Sequence, residues 1–167
     1  MILLLGSGYI YLRSKAREYV AAQQPAEVNP LIATAEIGKE YEVKSLKANG
    51  DEDTLTMRLV SAELRKEVII KGQPATAKND KAFAVFNLEV DNEDAESEYL
   101  KPVNLFRLVG EDGKKYAADI HSDVIEVQPI STKVTRIGFV VKESDRQLQL
   151  LVGELEGDKD TVDVQFN

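Results

Sequence analysis

The sequence predicts an all-β protein, an antiparallel β-sandwich of seven or eight short strands behind an apolar N-terminal helix. Three observations point there. Beyond Ile37, apolar residues recur at every second position in short runs, the period of a half-buried strand. Turn chemistry separates those runs, and scarcely a helical pattern lies among them. Ahead of them, Met1 to Leu12 (MILLLGSGYIYL) carries no charged side chain.

Composition limits what such a fold can do. The 167 residues suit one ordinary domain with an appendage. Lys and Arg number 21 against 29 Asp and Glu, net −8, with one His and no Cys or Trp. Without Cys there is no disulfide framework, thiolate metal site or thiol chemistry. A single His leaves out His-rich zinc sites and two-His metal triads. The acidic balance argues against nucleic acid as a partner, because such binding rests on cations that neutralise phosphates. A hydrophobic content of 43% suffices for a packed core. We expect a folded domain with no enzymatic activity.

Residues 1–24 read as a hydrophobic and then basic helix. Twelve helical residues span roughly 18 Å, short of the ~30 Å hydrocarbon core. Extension through Ala22 reaches ~33 Å and obliges Arg13, Lys15 and Arg17 to bend back toward the headgroups. Tyr9 and Tyr11 beside that basic cluster suit an interfacial belt. We therefore expect membrane association through residues 1–22, as the end of a membrane-embedded helix whose start precedes this chain or is supplied by neighbours. A signal-peptide core fits less well, because the basic residues come after the apolar run; a buried core helix is the plain alternative. The cations alone place the downstream residues on the cytoplasmic side, an orientation that upstream charges would reverse. Gly6-Ser7-Gly8 succeeds no strand and precedes no Lys–Ser/Thr pair, so it is not a phosphate loop. Pro25 and Asn29-Pro30 end the helix, and residues 25–36 read as a linker.

From 37 to 167 the strands come in order. Tyr41 and Val43 alternate with Glu40, Glu42 and Lys44; Asn49-Gly50-Asp51 is a turn; Leu55, Met57 and Leu59 then face one way. The stretch Ser61–Val68 also suits a helix, but its flanks favour strand. Gly72 to Asp80 reads as a loop. Ala82 to Val90 (AFAVFNLEV) is apolar on both faces at first and then alternates, as a central strand does. Val103–Val109 and Lys115–Ala118 flank Gly110-Glu111-Asp112-Gly113, a hairpin signal. Ile125 and Val127, then Val134–Val141, Gln147–Val152 and Thr161–Phe166 complete the set. Most aromatics, among them Tyr41, Phe86, Tyr116 and Phe139, fall at alternating positions and read as core.

A second line of inference rests on the order of these segments. A central strand ends at Asn92, a segment holding Leu108, Asp112, Gly113 and Tyr116 comes next, and then a strand entered through Pro129 with Gly138 and Phe139. In this order residues 55–152 resemble the DUF4352 (telokin-like) family of immunoglobulin-like sandwich domains. That family's usual Pro–Gly turn is absent, since Ile130 comes after Pro129. The resemblance implies an immunoglobulin-like sandwich, a prokaryotic exported domain often tethered by an N-terminal signal or membrane helix, and no catalytic residues.

Few residues stand out as sites. His121 lies between Asp119 and Asp123, which on a strand would share its face, but no nucleophile stands in a recognisable setting. The acidic run from Asp91 to Glu98 offers oxygen ligands, with Asp91, Glu93 and Asp94 as calcium candidates, yet it lacks the glycine and spacing of an EF-hand. Asp51-Glu52-Asp53 and Asp158-Lys159-Asp160 read as turns. Tyr99 and Leu100 sit beside that acidic run, as an exposed pair fit to touch a partner. No cofactor is implied beyond that calcium candidate. We expect a non-enzymatic extracytoplasmic binding or assembly module, membrane-anchored or at the cell surface, contacting a protein partner or itself through loops 72–80 and 91–101. The alternative is a structural subunit of a cell-surface filament, with a pilin-like helix beneath a sandwich head.

Overall fold

The computed structural model describes residues 31–167, and its first strand, β1 (Leu31–Lys47), starts earlier than its pattern announces. Residues 31–36, expected in the linker, belong to this strand. Ala33 and Ala35 are buried, and Thr34 exchanges backbone hydrogen bonds with Asn167 at 3.4 and 2.9 Å. Alanine carries so little apolar surface that its alternation is faint in sequence. Residues 31–36 are therefore part of the sandwich. The expected N-terminal helix lies outside the described residues, and among those described no helix is long and apolar enough to cross a membrane.

Strand β2 (Glu52–Arg65) pairs antiparallel with β1 and buries Leu55, Met57 and Leu59 as expected. A register shift after Leu59 moves the inward set to Ala62 and Leu64. One extra residue reverses a period of two, so the strand reads irregularly through this point. No helix forms over 61–68. The chain instead runs into β3 (Glu67–Ile70), which pairs with β4 (Gln73–Thr76) as a hairpin where a loop was expected.

Strand β5 (Lys81–Asn92) explains why its sequence is apolar on both faces. Ala82, Ala84 and Phe86 enter the main core. Phe83 and Val85 point the other way, into a small second core with Val68, Ala77 and Ile120 beneath the β3–β4 hairpin. Past Asn87 that outer face is uncovered, and the residues there turn polar. The acidic run is shorter than expected, since Asp91 and Asn92 end β5 and Glu98 opens β6 (Glu98–Leu100).

Residues 103–105, expected in a strand, form instead part of a single helical turn, α1 (Pro102–Leu105). Proline at the first helical position has its φ preset for a helix and needs no amide partner there. Strand β7 (Phe106–Val109) comes next, and the predicted hairpin carries it into β8 (Lys115–Tyr116) with Gly113 at φ +73°. Then come β9 (Ile125–Val127), β10 (Ser131–Lys142), β11 (Gln147–Val152) and β12 (Asp160–Gln165).

Twelve strands are thus present among the described residues rather than seven or eight, the surplus being short pieces. They form a six-stranded sheet, β10-β5-β2-β1-β6-β9, a four-stranded sheet, β12-β11-β7-β8, and the β3–β4 hairpin. One continuous core lies between the two larger sheets. At its centre Phe86 and Phe139 pack edge to face, centroids 5.8 Å apart and rings at 84°. Gly138 lets the segment through Ile120 lie against β10, since a Cβ there would stand 3.1 Å from Ile120 Cδ1.

Candidate functional site

The sheet end made by β1, β6 and β9 gathers most of the predicted site residues. Pairing places Leu46 beside Tyr99, and Tyr99 beside Glu126, on the outer face. The intervening positions, Ser45, Glu98, Leu100, Ile125 and Val127, point inward and are buried. The expected exposed pair is thereby split: Tyr99 faces outward, whereas Leu100 is only 4% exposed and belongs to the core. Adjacent positions on a strand face opposite ways, so two neighbours on β6 cannot both serve one surface. The partners Tyr99 does have come from elsewhere in the chain. Leu46 and Val124, each 48% exposed, flank it, and together they line a shallow groove of about 370 Å³ with Lys44, Glu52 and Lys101 at its rim. Tyr99 Oη donates to Glu126 Oε1 at 3.4 Å. Sequence reasoning missed Leu46 and Val124, because only the pairing of β1, β6 and β9 makes them neighbours.

At the same sheet end lies an acidic cluster. Oxygens of Asp53, Asp94 and Glu98 fall within 4.8 Å of one another. Glu98 is buried and accepts a hydrogen bond from Ser45 Oγ. The Lys47 ammonium lies 2.7 Å from Asp53 and 3.1 Å from Asp94. Its hydrogen bond, helped by the Thr54 amide, holds the Asp53 carboxyl below the ordinary carboxylate range. The same two carboxylates hold the lysine above its own ordinary value. A tethered cation thus sits among these acids. Of the three calcium candidates only Asp94 joins the cluster: Asp91 accepts a hydrogen bond from Thr132, and Glu93 is absent from the set. The Asp51 to Asp53 turn contributes Asp53, which sequence spacing does not connect to Asp94.

Among the described residues no side-chain hydrogen bond orients His121. Residues 119, 121 and 123 lie outside any strand, and all three border one open trough beside β10. Asp119 Oδ2 accepts the Val140 amide at 2.8 Å, and Asp123, almost wholly exposed, stands 3.7 Å from the imidazole. Asp160, in the other predicted acidic turn, instead ties the two sheets together. It accepts from Tyr41 Oη at 3.0 Å and from Lys39 at 3.1 Å. These bonds hold its carboxyl down, while burial and then the bond to Asp160 push the Tyr41 phenol up. Tyr116, read as core, is 47% exposed and donates to Asp112 at 2.9 Å.

No family model and no curated protein matches the sequence. Among solved structures the chain is similar to a conserved hypothetical protein from Bacillus anthracis, at 16% identity and TM-score 0.50, over 77% of this chain and 95% of that one. It is also similar to an uncharacterized β-sandwich protein from Clostridium difficile 630, at 16% identity and TM-score 0.51, over 77% of this chain and 91% of that one. At that identity the likeness speaks for the fold alone, and the fold is an antiparallel β-sandwich.

Proposed function

We propose that the protein is a non-enzymatic, immunoglobulin-like binding module, tethered to a membrane by residues 1–22 and working outside the cytoplasm. The carrying observation is the groove in which Leu46, Tyr99 and Val124 form an exposed apolar patch. Lys44 and Lys101 at its rim have no ion-pair partner among the described residues. This chemistry suits a partner protein that inserts an apolar side chain with a carboxylate beside it, an aromatic anchor answering it from the groove. The resemblance to the DUF4352 family supports the same reading. In the acidic cluster the lysine does the neutralising, so added calcium is expected to leave the melting temperature unchanged.

The test is a photo-cross-linking residue at position 99 of the full chain in its native membrane. A discrete adduct with another protein is expected, lost on Leu46→Asp and absent when the probe stands at Glu89. Equal labelling at both positions overturns the reading.

A further inference from the structure

Three cations gather on the outer face of the four-stranded sheet. Arg107 alternates with the buried Phe106 and Leu108 on β7, and Lys115 of β8 pairs with Val109, so Arg107 and Lys115 share that face. They are diagonal neighbours, ~7–8 Å apart on an antiparallel pair. Lys159 reaches the same place from the loop ahead of β12. Its ammonium donates to Gly153 O at 3.1 Å and to Glu154 O. The Gly153 amide donates in turn to Leu105 O at 2.9 Å, two residues before Arg107. Burial holds the Lys159 ammonium below its ordinary value; Arg107 and Lys115 add to this against the pull of Glu154, so all three cations are within electrostatic reach. None of the three forms an ion pair among the described residues, although Glu154, Glu156 and Asp158 lie in the loop that carries Lys159. Glu154 Oε1 instead accepts the Lys44 amide.

We infer that Arg107, Lys115 and Lys159 form a binding site for a phosphate group. Two of the three are already fixed in place. Arg107 Nη1 gives both its hydrogens to carbonyls, Val103 O at 2.8 Å and Phe106 O at 2.6 Å. Its Nε and Nη2 then have no acceptor among the described residues, and that pair is the fork that holds two oxygens of one oxyanion. Lys159 gives two of its three hydrogens to carbonyls and keeps one. Because these two side chains are ordered before any ligand arrives, binding carries less of the entropy loss that long cations impose. Charge favours the same ligand. Three neighbouring cations repel one another, and they do so unpaired in a chain of net −8. A carboxylate has one charge and two oxygens, enough for the guanidinium alone. A phosphate group brings the charge and the oxygens for all three. The site lies on the other sheet from the groove at Tyr99 and is independent of it.

The test is a thermal melt of the full chain at constant ionic strength. A ligand that binds only the folded state raises the melting temperature, so replacing chloride with inorganic phosphate at about 10 mM is expected to raise it by ~3 °C or more. Lys115→Gln is the informative variant, because the Lys115 ammonium makes no ion pair in the fold and its loss leaves the sheet intact. That variant should lose most of the shift. Lys78→Gln removes an exposed lysine from the loop between β4 and β5 and should keep all of it. Glycerol 3-phosphate separates two sources of the group: a shift as large as that of phosphate marks a phosphomonoester, and a shift with phosphate alone marks the free ion. Both uphold the site. Phosphate also stabilises proteins in general by its exclusion from their surface. An equal shift in the parent chain and in Lys115→Gln is that general effect and overturns the inference, as does the same melting temperature in phosphate and chloride.

Discussion

Ile130 holds a φ of +47° although it is β-branched, and 78% of it is exposed. That conformation places its Cβ against the following carbonyl, a strain of roughly 1–2 kcal/mol for an L residue. Glycine there would be unstrained, with part of the gain offset by a more flexible unfolded chain. Ile130→Gly is expected to stabilise the fold by about 1 kcal/mol, raising the melting temperature by ~3 °C. A drop in a thermal melt would show that the side chain packs more usefully than its exposure indicates. The sequence marked this turn through Pro129, but a left-handed angle on a non-glycine residue has no compositional signal. The second expectation at this scale concerns acid. Asp53 and Asp160 have carboxyls held below their ordinary values by Lys47 and by Lys39, respectively. A carboxylate with a depressed folded pKa contributes fully above its unfolded pKa, and that contribution is lost as pH falls through the folded value. The melting temperature should therefore fall below pH ~4, the ordinary carboxylate range. Lys47→Met should flatten that fall, because Asp53 then titrates nearer its unfolded value. An identical slope in the variant would place the acid sensitivity elsewhere.

At the scale of elements, β5 was the most legible strand, and the reason is its length of unbroken pattern. Phe83 and Val85 signalled a cover on the outer face, but nothing in the sequence identified that cover as β3–β4. The hairpin is short, its second strand begins Gln73-Pro74-Ala75, and turn residues surround it, so it resembles a loop. The same difficulty hid the groove: β6 and β9 are three residues each, and neighbours across them are distant in the chain. A cover held mainly by side chains should be separable from the sandwich beneath it. Val68 is 1% exposed in the small core. Val68→Ala removes two methyl-sized groups, about 2 kcal/mol of buried contact. Amides of β3 and β4 should then exchange with solvent well before those of β5 and β10. If all four strands lose protection together, the hairpin is part of the main cooperative unit.

For the molecule as a whole, two sequence readings of residues 1–30 compete, a membrane tether and a buried core helix, and they differ in what removal does to stability. The inner faces of both large sheets already meet in one cluster, where Phe86, Phe106 and Phe139 are at most 1% exposed among neighbours drawn from 31–167. Among the described residues that leaves no bare inner face for a helix to cover. The charge division points the same way: residues 1–30 carry net +1 and the remainder −9, a net charge that opposes association of the sandwich with itself. Deleting residues 1–30 is therefore expected to move the protein from the membrane to the soluble fraction and leave the melting temperature within ~2 °C of the full chain, a smaller change than ~1 kcal/mol brings in a domain of this size. A core helix would leave behind an apolar scar of several side chains, each worth ~1.5–3 kcal/mol when buried, so its loss would lower the melting temperature far more and drive aggregation. Fractionation and a thermal melt of the shortened chain thus decide between a domain that is held at a membrane and one that is completed by its own first helix.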